Sequence, residues 1–91
     1  MQRTSHGSEK HTEASRPTSE AAIDKVESNE IYLDIETGYY VFVGAKGRTH
    51  VFTAENLHHT SFWTTKHNRL ERQKTGKWER IVSADLPEKL K

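Results

Sequence analysis

The chain has 91 residues, of which 32% are hydrophobic and 30% charged, with a formal net charge of +1 and no cysteine. That length bounds it to one domain, and the missing thiols exclude a disulfide framework and a thiolate zinc site. No apolar run approaches the length of a membrane span or signal-peptide core, so no membrane role is expected and the cytoplasm is the default address.

Residues 1–29 are rich in Ser, Thr and Glu and contain no aromatic residue; all eight aromatics lie beyond them. With so little apolar surface to bury against the entropy of ordering, this stretch reads as a disordered tail. Inside it, Glu20 to Val26 has the composition of a transient helical turn, with Ser19 placed to cap it. Residues 30–84 form the predicted α+β domain, and residues 85–91 a frayed end behind Pro87. The division also separates charge. Residues 1–30 hold four basic against six acidic side chains, whereas residues 39–82 hold eight against three. The middle of the chain is basic, which favours a polyanionic partner.

Ile31 to Ile35 alternates as a strand, with Ile31, Leu33 and Ile35 on one face. Glu36-Thr37-Gly38 supplies a turn. Tyr39 to Val43, all aromatic or β-branched, is the strongest strand signal in the chain. A second turn follows at Ala45 to Arg48, where Gly47 is free to take positive φ. Thr49 to Thr53 is a third strand, and Ala54-Glu55-Asn56 the next turn. Leu57 to Trp63 is preferred as a fourth strand, against a rival reading in which a helix begins near Thr60. Thr64 or Thr65 then caps a mostly solvated helix through Lys74, ended by Gly76. Lys77 to Val82 is the last strand. The expectation is a small antiparallel β-meander of four or five strands with one short helix before the final strand. Tyr40 and Phe42 lie opposite Val41 and Val43, so either the helix covers their face, which is the expected outcome, or an aromatic patch is exposed as a binding surface.

The most suggestive feature is the basic cluster Lys66, His67, Arg69, Arg72, Lys74, Lys77 and Arg80, flanked by Trp63 and Trp78. Arg69 and Arg72, three apart on a helix, project to one side, and guanidinium forks match phosphate oxygens. Trp63 or Tyr40 would stack an exposed base. The first reading is therefore a small RNA- or DNA-binding domain. The bland reading of the same cluster is a solvated helix face with both indoles in the core.

A second reading is a metal-independent ribonuclease of the toxin type. Its candidates are His58, His50, Glu55 and Arg69, with Glu79 as another base, since such cleavage needs a base, an acid and cationic donors. In a strand His58 and His59 point to opposite faces, so at most one of them can join His50. A third reading is a protein-interaction or homodimeric module that uses an edge strand or an aromatic patch. The histidines, including His6 and His11 in the tail, have no recognisable ligand spacing, so neither a metal nor another cofactor is expected.

Overall fold

A computed structural model describes residues 17–91. Five strands form one antiparallel sheet: β1 (Glu30–Asp34), β2 (Tyr40–Val43), β3 (Arg48–Phe52), β4 (His58–Trp63) and β5 (Trp78–Ile81). Their order across the sheet is β4-β3-β2-β1-β5. The first four make a meander through tight turns, and β5 returns to the far side of β1. Two helices complete the fold: α1 (Ala21–Glu27), ahead of β1, and α2 (Lys66–Lys74), between β4 and β5. The α+β meander predicted from alternation is the fold found, and the strand expected over Leu57 to Trp63 is present as His58–Trp63, with no helix beginning near Thr60.

Turn chemistry follows the expected residues. Gly38 and Gly47 both adopt positive φ (76° and 81°). Gly47 is further constrained because a Cβ there would lie 2.0 Å from the Thr64 carbonyl oxygen, where the β4–α2 link passes against the β2–β3 turn. At α2 the Thr65 hydroxyl accepts from the Asn68 N–H (3.0 Å), and the Asn68 side chain accepts from the Thr65 N–H (3.2 Å). This reciprocal cap satisfies two otherwise orphaned donors. Its other end closes with Lys77 N–H on the Arg72 carbonyl and Gly76 N–H on that of Gln73, a Schellman pattern with Gly76 at φ 77°.

The pleat sends alternate side chains to two separately covered faces. On one lie Ile31, Phe42 and Phe52, packed with Ala21, Leu86 and Leu90 and flanked by Tyr40 and Ile81. On the other lie Tyr32, Val41, Val43, Val51 and Trp78, with Tyr39 and Phe62 at the margin. Three sequence expectations change here. Residues 17–29, assigned to the tail, carry a 3-10 turn (Thr18–Glu20) and α1, with Thr18, Ala21 and Asp24 buried. Residues 85–91, expected to fray, insert Leu86 and Leu90 into the core (7% and 4% exposed). The Tyr40–Phe42 face is accordingly covered by α1 and the C-terminal residues, not by α2. The physical reason is long-range: each segment contributes one or two small or isolated apolar groups, too few to stand out in sequence, yet sufficient once a sheet is present to receive them. Residues 1–16, the rest of the expected tail, with His6 and His11, lie outside the described residues.

Candidate nucleic-acid interface

Helix α2 buries no residue, and its only strongly apolar side chain, Leu70, is half exposed. Arginine attaches it to the sheet instead. The Arg69 Nε donates to the Glu30 carboxylate (2.7 Å), and its Nη1 donates to the Thr64 hydroxyl (2.9 Å) and carbonyl (3.2 Å). Arg72 lies over the Trp78 ring at 4.6 Å and over Phe62 at 5.7 Å. Both rings offer negative faces to the guanidinium, and its methylene stem covers apolar surface. Two of the side chains expected to contact phosphate are thus already engaged in holding the helix.

Between α2, β1 and β5 is a recess of about 350 Å³, lined by Glu30, Tyr32, Lys66, Arg69, Leu70, Gln73 and Arg80. The strand register explains this convergence. Tyr32 lies opposite Arg80 on β5, and Glu30 is two residues before Tyr32, on the same face. The Arg80 guanidinium sits 5.7 Å from the Tyr32 ring centre and donates to the Asn29 carbonyl (3.0 Å). The Tyr32 hydroxyl donates to Glu30 Oε2 (2.5 Å), the same oxygen that accepts from Arg69. Burial first, and then this bond to Glu30, push the Tyr32 hydroxyl up to about 12, so it stays a neutral donor. Three cations and one carboxylate therefore share one concavity.

Of the residues proposed from sequence for nucleic-acid contact, Lys66, Arg69 and Arg80 meet in this recess. Arg72 stacks beside it, and Lys74 and Lys77 are exposed at the end of α2 and just beyond it. Trp63 and Tyr40 do not join them. Trp63 is half exposed, but it pairs with Arg48 on the face that α1 covers. Tyr40 flanks the Phe42–Phe52 cluster on that same face. Trp78 is buried and serves as the surface under Arg72. Sequence reasoning missed Glu30, Tyr32 and Gln73. Their one legible signal was the i, i+2 spacing of Glu30 and Tyr32 on a strand.

The histidines proposed for catalysis do come together, but in the interior. His50 and His58 are both 0% exposed, and Ser61 lies between them, with His50 Nδ1 and His58 Nε2 at 2.7 and 2.8 Å from its hydroxyl. The other ring nitrogen of His50 meets the Asp24 carboxylate at 2.7 Å, and Arg48 grips that carboxylate through Nε (2.8 Å) and Nη2 (3.0 Å). A neutral His50 donating from Nε2 accepts the Ser61 proton at Nδ1, which leaves the Ser61 oxygen to accept from His58. The chain of bonds from Arg48 through Asp24, His50 and Ser61 to His58 is self-consistent. The Arg48 guanidinium, partly opposed by burial, holds the Asp24 carboxyl below the usual carboxylate range. Burial pushes His50 down, against the pull of Asp24. Rings with no accessible surface cannot reach a substrate phosphate, so this set serves to bind α1 to the sheet. Glu55, exposed in the β3–β4 turn, is in neither cluster. Among the described residues no group of three or more His, Asp or Glu is placed to hold a metal ion, and no helix is long and apolar enough to cross a membrane.

Comparison with protein-family models, curated proteins and solved structures finds no match for this chain. The functional reading therefore rests on the geometry of the recess.

Proposed function

We propose that this protein binds single-stranded nucleic acid through its phosphates, at the recess between α2 and β5. The observation that carries the reading is the convergence of Lys66, Arg69 and Arg80 on one concavity, against the single carboxylate of Glu30. Lys74 and Lys77, exposed at the end of α2 and just beyond it, add positive charge at that end of the helix. Arg69 contributes field more than contact, since Glu30 and Thr64 already hold it. Lys66 and Arg80, both exposed, are the side chains that meet phosphate oxygens. The base-stacking role expected of Trp63 and Tyr40 is not part of this proposal, because both lie toward the α1 side.

The test is fluorescence anisotropy with a labelled single-stranded RNA and its DNA counterpart. Binding is expected at micromolar concentration or below. Affinity should fall with salt at a slope of roughly −0.7 per phosphate neutralised, so about −3 for four cations. The double variant Lys66→Glu, Arg80→Glu should weaken binding by at least about tenfold, each position being surface-exposed. An unchanged anisotropy at low salt with the wild-type chain would remove the proposal.

A further inference from the structure

We propose that the same recess cleaves single-stranded RNA without a metal ion, with Glu30 as general base and Lys66 as general acid. This inference rests on the nucleic-acid reading of the recess and adds chemistry to it.

Metal-independent cleavage of RNA requires a carboxylate or imidazole for the 2′-hydroxyl proton, a proton donor for the leaving oxygen, and fixed cations for charge gathering on phosphorus. The buried histidines cannot serve, but the recess supplies each part from other residues. The Glu30 side chain is 29% exposed. Its Oε2 is held by Tyr32 and Arg69, while among the described residues no side chain bonds Oε1. One oxygen is thus anchored, and the carboxylate as a whole lines the concavity, so a base there is positioned without added reorganisation. Tyr32 and Arg69 act as positioning residues for Glu30. Lys66 and Arg80 lie on the exposed rim of the same concavity.

With a phosphodiester seated there, the RNA 2′-oxygen attacks phosphorus as its proton passes to Glu30 Oε1. The bond from phosphorus to the 5′-oxygen breaks, and the departing oxygen takes a proton from the Lys66 ammonium. Negative charge gathering on the non-bridging oxygens faces the Arg80 and Arg69 guanidinium groups. The products are a 2′,3′-cyclic phosphate and a 5′-hydroxyl end. Solvent then removes the proton from Glu30 and restores that of Lys66, so no oxidant, reductant or metal enters the balance. DNA, without the attacking hydroxyl, should bind and stay intact.

The experiment incubates the full chain with a 5′-labelled single-stranded RNA in EDTA, next to an all-DNA strand of the same sequence, and follows binding by anisotropy in parallel. RNA fragments ending in 2′,3′-cyclic phosphate, with DNA bound within threefold but uncut, are the expected result. Glu30→Gln should slow cleavage of saturating RNA by at least about 100-fold, the low end for loss of a general base. Because Glu30 anchors Arg69, that variant is checked for folding by circular dichroism. Lys66→Gln, at an exposed position, provides a second reading that needs no interior bond: cleavage should fall by at least about 100-fold with the chain fully folded. RNA that is bound but intact overturns this inference and leaves the binding proposal standing. RNA neither bound nor cut overturns both. Wild-type cleavage rates in folded Glu30→Gln and Lys66→Gln, or equal cutting of DNA, also defeat the assignment.

Discussion

Gly44 illustrates how closely single residues are constrained. A Cβ there would sit 2.4–2.6 Å from the Asp24 carboxylate atoms, in a place where the carboxylate cannot withdraw without releasing Arg48 and His50. Gly44→Ala is therefore expected to destabilise the fold by about 1–3 kcal/mol, the usual cost of overpacking, measured by urea denaturation. The same cluster sets the response to acid. Both Asp24 and His50 are pushed below their ordinary values, 3.8 and 6.5. A group with a depressed native value binds protons more readily in the unfolded chain, so its contribution is complete above the unfolded value and declines as pH falls. Stability should be level above about pH 7, decline first as pH drops below the ordinary histidine value, and decline again in the carboxylate range. Urea midpoints measured between pH 8 and 4 check this, and a midpoint that rises on acidification from pH 7 to 5 would contradict the described buried, neutral His50.

At the scale of elements, α2 is the informative case. Sequence placed it closely, because Thr65 and Gly76 are local signals whose hydrogen bonds stay within the helix and its caps. It also read the helix as mostly solvated, with Leu70 alone as a strongly apolar residue, and Leu70 is half exposed. What it could not show is that Arg69 and Arg72 hold the helix down. The partner of Arg69 is 39 residues away, and the rings under Arg72 are on β4 and β5. Arg72→Ala should cost about 1 kcal/mol through lost cation–π contact and stem packing, with a change in Trp78 fluorescence as the local readout. Arg72→Met, which keeps much of the stem, should recover part of that loss. Equal stability of Arg72→Ala and wild type would mean that the ring contact contributes nothing.

Over the whole molecule, one face of the five-stranded sheet is covered by pieces from opposite ends of the described chain. Leu86 and Leu90 reach the cluster formed by Ala21, Ile31, Phe42 and Phe52. If these residues anchor the fold, Leu90→Ala and Leu86→Ala should each cost about 2 kcal/mol or more, at the lower end of buried Leu truncations; a frayed end would tolerate either without loss. Thermal or urea unfolding monitored by circular dichroism separates the two outcomes. The β4 and β5 strands occupy the two edges, so α2 must cross the sheet between them. That crossing sets Lys66 and Arg69 above the Glu30–Tyr32–Arg80 row and creates the recess.

Alternation, β-branched and aromatic runs, and turn and cap residues determined the five strands, their tight turns and the limits of α2, since these signals act between neighbours in sequence. Tertiary structure alone decided that α1 and the C-terminal residues belong to the core, that His50, Ser61 and His58 form an interior chain with Asp24, and that Glu30 and Tyr32 share a recess with three cations. Each of those outcomes depends on strand register and on contacts between groups tens of residues apart. Only the completed sheet fixes which faces meet, because one step of register would carry every side chain of a strand to the opposite side.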